Sequence, residues 1–426
     1  MVRDTRPTPR RSQRRPHRRA SRRSSPGRHK RAAGRAFAPE HAATVNRLFG
    51  LLLNTAPDIG RWLALGLALL TVGMLQLWRG ARSGNGGLTL CALSRTLPLD
   101  EDEKARAKRL YRLLRNRSLD GTAMTPLLVR LALGSNPRGW IPIVVDQTDL
   151  HGKPVIAAGV RLSRRILPVA FACFEYAKIR KSQNAIEHSL LLLIKASLPL
   201  ACKPVYVMDR GYARASLLAQ LRSLDIPYLV RGRSNTIVRT AKTRLSLGRL
   251  PHRLGQPRRY SNVLYQDSAR VPVDVVVFHD PHFKEPWFIL VPAGSHKRLP
   301  TKDVVQLYRE RMHVELTFRD WKTHLGLRGL RLQVDVAPRL GRLLLALSIA
   351  YILAVLLGSA QIAARVRGHC EVLRSTPRHG TRHRLSALSI AILALSLGRF
   401  QRLAQLELER ILTALGRGSP LIEITR

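Results

Sequence analysis

Two short apolar runs, each ending in an aspartate, most constrain what this chain can fold into. Ile141-Pro142-Ile143-Val144-Val145-Asp146 is followed by Gln147-Thr148, and Pro204-Val205-Tyr206-Val207-Met208-Asp209 by Arg210-Gly211-Tyr212. Runs of this length and apolarity read as buried strands. Each delivers a carboxylate at its C-terminal end, where an open sheet exposes its site. A third acid, Glu315, lies in a run from Tyr308 to Lys322. Tyr308, Arg311, Glu315 and Lys322 follow one another at steps of three, four and seven residues. On one continuous helix those steps keep the four side chains near one face. The plain alternative is a solvated amphipathic helix laced with ion pairs. With two strand-end aspartates upstream, Asp146, Asp209 and Glu315 read instead as hard oxygen ligands for Mg²⁺, held jointly by protein, water and phosphate. A pair of such ions activates the attacking oxygen and stabilises the leaving one in phosphodiester chemistry.

These residues resemble the DDE insertion-sequence transposases that carry the Tyr-Arg-Glu-Lys (YREK) signature. That signature, Y-x(2)-R-x(3)-E-x(6)-K, is matched at Tyr308, Arg311, Glu315 and Lys322. The family's Asp-x-Thr motif is matched by Asp146-Gln147-Thr148, and its Asp-Arg-Gly-aromatic motif by Asp209-Arg210-Gly211-Tyr212. The likeness runs from about Lys108 to about Gly358. It implies an α/β fold, with a ribonuclease H-like catalytic domain in which Asp146, Asp209 and Glu315 are catalytic and bind two Mg²⁺ ions, Mn²⁺ being able to substitute. It also implies that Tyr308, Arg311 and Lys322 grip phosphates near the cleavage point. Arg231 occupies the position of a family arginine near bound DNA. Trp287 falls where relatives place a tryptophan that stacks on a flipped-out base; the other reading is a core strand tryptophan. The implied partners are double-stranded DNA at the element ends and target DNA, with a dimer on DNA and no small-molecule substrate. The implied reaction is cut-and-paste transposition through a hairpin intermediate, in the cytoplasm at the nucleoid.

Composition points to nucleic acid independently. Lys and Arg number 73 against 27 Asp and Glu, a formal charge of +46. Clustered cations neutralise phosphates and release counterions. Ribosome or RNA association, or attraction to an acidic membrane, would use the same charge. Hydrophobic residues make up 45% of the chain, enough for a sizeable core. The four cysteines, Cys91, Cys173, Cys202 and Cys370, form no CxxC pair, which argues against a disulfide framework and for a reducing compartment. His369, Cys370, His379 and His383 lie close in sequence, but one Cys among loosely spaced His is a poor zinc pattern.

The expected organisation has four parts. Residues 1–40, with 13 Arg in the first 35, read as a disordered basic arm or as sequence upstream of the true start. Residues 41–135 read as a helical N-terminal domain, with Ser94 as a helper in capping a turn; the resemblance implies that it contacts DNA ends, with Arg112, Arg115 and Arg117 as phosphate contacts, a solvated helix face being the other reading. Residues 136–335 read as the catalytic domain, with a mainly β subdomain inserted at about 236–285. Residues 336–426 read as a helical, basic C-terminal region. Trp62 to Trp78 carries no charge over 17 positions, the lower limit for a membrane span. A buried helix is the expectation there, and Leu343–Gly358 reads as too short to span. A DNA-binding remnant without turnover would show loss of one of the three carboxylates, and all three are present.

Overall fold

The computed structural model describes residues 38–80, 88–134, 137–180, 182–330, 336–376, 381–382 and 384–417. The expected basic arm, apart from its last three residues, lies outside them, as do His379 and His383. Helices come first: Pro39–Thr55 (α1), Arg61–Gly80 (α2), Leu90–Thr96 (α3), Glu103–Arg115 (α4) and Thr125–Leu133 (α5). Thr89 caps α3, its hydroxyl accepting from the Ala92 N–H at 3.1 Å. Ser94, the residue expected to help there, instead donates within the helix to the Cys91 carbonyl at 2.8 Å. Asp102 caps α4 through the Ala105 N–H at 2.7 Å. A side-chain acceptor at this position satisfies one of the amides that a helix start leaves free.

The sheet comes next. Gly139–Leu150 (β1), Lys153–Leu162 (β2) and Arg165–Cys173 (β3) form an antiparallel meander. The β1–β2 turn puts His151 at φ 56° and Gly152 at φ 70°, the left-handed pair a two-residue hairpin needs. Gln183–Ser197 (α6) leads to Cys202–Met208 (β4), Ala215–Ser223 (α7) and Tyr228–Arg231 (β5). β4 lies parallel to β1 and to β5. The order β3-β2-β1-β4-β5, with helices on its faces, is α/β and consistent with a ribonuclease H-like domain.

Ile237–Arg239 (β6), Arg244–Ser246 (β7), Arg258–Tyr265 (β8), Val271–Phe278 (β9) and Trp287–Pro292 (β10) continue the same sheet. β10 pairs antiparallel with β5, and the order runs on as β10-β9-β8-β6-β7. The segment at about 236–285 is therefore β-rich and extends the central sheet edgewise.

The chain closes with Thr301–Arg311 (α8), His313–Arg319 (α9), a π-helical turn over Asp320–His324, then Ala337–Ser359 (α10), Ile362–Cys370 (α11), Ala387–Ser396 (α12) and Gly398–Arg417 (α13). α10 is the core helix. It packs on β3 and on α2, α12 and α13. Its N-terminus receives the Glu175 carboxylate, which accepts from the Ala337 N–H at 2.8 Å. Such an acid also complements the positive end of the helix dipole. At its far end, a Cβ on Gly358 would fall 1.8 Å from the Ala387 carbonyl, so only glycine allows α12 to approach. The helix is longer than its uncharged run suggested, because it takes in Arg339 and Arg342. The Arg342 guanidinium donates to the Leu119 and Leu114 carbonyls at 2.8 and 2.9 Å, and Arg339 lies 4.9 Å from the Tyr111 ring centre. By length and composition α2 and α10 could each cross a membrane; 67% and 100% of their most apolar windows are buried inside the protein.

One buried polar cluster ties α9 to the sheet. Arg165, at the start of β3, pairs with Asp320, and their side chains are 8% and 1% exposed. Tyr351 of α10 donates to Asp320 at 3.1 Å, and the Ile166 N–H donates to the Thr317 hydroxyl at 2.9 Å. Removing one partner of a buried ion pair strands the other charge, whereas removing both with apolar replacement does not. Asp320→Ala should therefore cost roughly 3–5 kcal/mol in urea denaturation. Adding Arg165→Met should restore most of that loss; a double variant as unstable as the single one would mean that the pair is not what holds α9.

Candidate active site

The register of β1 against β4 builds the site. Val145 stands opposite Met208, so Asp146 and Asp209 are the next residues on adjacent parallel strands. Asp209 follows the end of β4. Asp146 does not end its strand as expected: β1 runs on to Leu150, paired only with β2, with Asp146 opposite Ala157. The longer hairpin is what carries β1 past the point where β4 stops.

Arg311, the last residue of α8, sits between the two aspartates. Its Nη1 lies 2.8 Å from Asp146 Oδ2 and its Nη2 3.9 Å from Asp209 Oδ1, with the arginine side chain 6% exposed. The other Asp146 oxygen accepts from the Gln147 N–H at 2.8 Å. Burial pushes the Asp146 carboxyl up; the Arg311 cation opposes this, and the neighbouring charges of Asp209 and Glu315 add to it. Tyr308 is buried one turn before Arg311, and its hydroxyl reaches Asp209 Oδ1 at 3.5 Å. Burial pushes that phenol up to about 12, so it stays a donor at neutral pH.

The Tyr308–Lys322 run is not the single helix that its spacing suggests. Helix α8 ends at Arg311, Met312 makes the joint at ψ −19°, and α9 ends at Arg319 where the π-turn begins. The Leu325 N–H closes that turn on the Asp320 carbonyl at 2.8 Å. A π-turn holds more residues per turn than an α-helix, so it shifts Lys322 out of phase with the stripe. Tyr308, Arg311 and Glu315 line one cleft of about 370 Å³, together with Asp209, Arg231 and Trp287; Lys322 is not part of its lining. Glu315 is exposed and Lys322 half-buried. Among the described residues neither side chain makes a hydrogen bond or ion pair.

Trp287 opens β10 and is 3% exposed. Its ring packs 5.3 Å from Tyr308, 5.3 Å from Phe283 and 5.9 Å from Phe278. It is a core aromatic whose edge borders the cleft, with Phe283 lying over it. Arg231, at the end of β5, is 3.4 Å from Glu285 and joins this cleft to a wider one of about 840 Å³ that adds Arg233, Ser234 and Asn235. The sequence reading missed Phe283 and Arg233. Phe283 is an exposed residue of a turn, where no periodicity marks it. Arg233 lies two residues beyond Arg231, and that spacing past a strand end was the available signal.

Asp146, Asp209 and Glu315 are the right donor chemistry for Mg²⁺ or Mn²⁺. Their present placement is not a finished cage. Among the described residues no three His, Cys, Asp or Glu side chains stand close enough to hold an ion, and Arg311 lies between two of the three carboxylates.

A mixed α/β sheet with two aspartates side by side, a helical glutamate and an arginine on one cleft defines the class of site. Residues 162–353 match the family model described as the transposase DDE domain, which supports a DDE transposase. The matched span holds Asp209, Tyr308, Arg311, Glu315 and Lys322, and it begins after Asp146. No curated protein matches the chain.

Trp287→Ala should destabilise the fold by roughly 3–5 kcal/mol, as large-to-small changes at buried aromatics do. Trp287→Phe should lose distinctly less. Urea melts of both variants check this, and a wild-type midpoint for Trp287→Ala would place the ring outside the core.

Proposed function

We propose that this protein is a DNA transposase of the YREK signature class that moves an insertion sequence by cut and paste. The observation that carries the reading is that Asp209 and Glu315 line one cleft with Arg311 and Tyr308, and that Arg311 pairs from there with Asp146 on the neighbouring strand. The formal charge of +46 supports a polyanionic partner. In this reading the substrate is double-stranded DNA at the element ends and then target DNA, bound by a dimer, at the nucleoid in the cytoplasm. Residues 136–335 carry the chemistry, with the strands at 236–285 holding the DNA end. The helices at 41–135 contact the ends, and the helical region 336–426 completes the chain. Arg112, Arg115 and Arg117 are exposed and serve as phosphate contacts.

Asp146, Asp209 and Glu315 hold Mg²⁺ or Mn²⁺, two ions in the full site. Such ions supply Lewis acidity to the attacking and the leaving oxygen. The chain's own residues do the positioning. Arg311 offers a planar fork to phosphate oxygens, and Lys322 a compact charge. Tyr308 donates from a phenol that burial keeps protonated. Trp287 and Phe283 wall the side of the cleft where an unstacked base would lie, and an aromatic face accepts any base. Water attacks first and frees a 3′-hydroxyl. That hydroxyl then attacks a phosphodiester of the opposite strand, closing a hairpin as the flanking DNA leaves with a free 3′-hydroxyl.

Asp146→Ala, Asp209→Ala and Glu315→Ala should each abolish Mg²⁺-dependent nicking of a duplex bearing the element end, while leaving gel-shift binding of that duplex intact. Cleavage retained by any one of the three purified variants would remove that residue from the set. Lys322→Ala should lower the slope of log K against log salt by about one unit, the share of one phosphate contact. An unchanged slope would assign Lys322 to the π-turn alone.

A further inference from the structure

We propose that Arg311 keeps divalent cations out of the carboxylate cleft until a DNA phosphate draws its guanidinium away. The inference rests on the reading of Asp146 and Asp209 as cation ligands, and it adds an order of events to that reading. Of the two Asp146 oxygens, Oδ1 accepts from the Gln147 N–H, which the strand fixes. Oδ2 takes Arg311 Nη1 at 2.8 Å, and Nη2 points to Asp209 Oδ1 at 3.9 Å. The guanidinium thus stands between the two ligands from which an ion would have to be built. Mg²⁺ takes oxygens at about 2.0–2.1 Å in a near-octahedral shell. It cannot share that position with a buried guanidinium of like sign.

The same side chain is poorly satisfied where it is. A guanidinium has five N–H donors. Its Nε is buried without a hydrogen-bond partner, and Nη2 makes a long contact to the Met312 sulfur at 3.6 Å beside its 3.9 Å ion pair with Asp209. A buried donor left unpaired is costly. A phosphate in the adjoining cleft offers two oxygens to that fork and would satisfy Nε together with one Nη. Arg311 ends α8 at the Met312 joint, so its side chain can turn into the cleft that it already lines without unwinding a helix interior. Phosphate entry then does two things together: it gains a bidentate arginine and releases Asp146 Oδ2 and Asp209 Oδ1 for a cation.

Mn²⁺ alone, titrated onto the full chain and followed by its electron paramagnetic resonance signal, tests this without any turnover. In the absence of DNA, Arg311→Gln should bind Mn²⁺ more tightly than wild type, by roughly 5–150-fold, the usual range of coupling between two ligands. Adding end-bearing duplex should tighten Mn²⁺ binding more in wild type than in the variant. Lys284→Gln removes a cleft cation that pairs with neither carboxylate and should change Mn²⁺ affinity little; an equal gain there would reduce the effect to general charge and overturn the latch. Arg311→Lys keeps a charge but cannot span both aspartates. It should show a smaller gain, and it serves if Arg311→Gln unfolds. Wild-type affinity in both Arg311 variants, with Asp146→Asn lowering it, would overturn the latch and leave the cation site standing. Mn²⁺ binding that ignores Asp146→Asn with and without DNA would remove the cation site, and the latch with it.

Discussion

The parallel pairing of β1 with β4 is the constraint on which the rest of the site depends. It brings Asp146 and Asp209 side by side in the sheet, where burial and the neighbouring charge of Asp209 both disfavour the ionised form of Asp146. A cation is needed there, and α8 supplies it through Arg311. That helix packs on β4 and β9 and leads through Met312 into α9. α9 is fixed to β3 through Arg165, Asp320 and Thr317, and α10 adds Tyr351 to the same cluster. The charge problem at the centre is therefore solved by elements more than a hundred residues away in sequence, and their anchoring is buried and polar.

The helices explain how so basic a chain keeps a core. α10 is apolar around its whole circumference, as a helix covered on all sides must be. β3 covers it on one side, and α2, α12 and α13 on others. Two of its arginines are buried, and the structure spends backbone carbonyls and a tyrosine ring on them. Unpaired, such cations would be strongly destabilising. The same logic explains why a charge-free stretch such as Trp62–Trp78 need not meet lipid: most of its apolar surface faces other helices.

The strands and the carboxylates were legible because period and punctuation are local. Apolar runs of strand length, each followed by Asp, can be read residue by residue, and the β-hairpin turn announces itself through Gly152. What sequence spacing could not give was phase. It assumes 3.6 residues per turn throughout, and both the Met312 joint and the π-turn after Arg319 break that assumption. Hence Glu315 reaches the cleft and Lys322 does not line it. For Trp287 the sequence left both a base-stacking ring and a core strand tryptophan open, and the choice depends on packing against Phe283 in a turn and Tyr308 on α8, which spacing does not show. The capping of α3 by Thr89 in place of Ser94 shows the usual weakness at helix ends, where two nearby hydroxyls are equally eligible.

The excess of positive charge and the arginine in the cleft act in the same direction. A protein of net +46 raises the potential around its own carboxylates and lowers the local concentration of divalent cations. Bound DNA reverses that field, since its phosphates outnumber the cations they neutralise along the groove. Arg311 is the short-range form of the same opposition, acting at 2.8 Å where salt screens little. Long-range repulsion and local competition therefore favour the same order, phosphate first and cation second. In the proposed reading the cutting centre is incomplete whenever the strand to be cut is absent, so the substrate itself assembles the site.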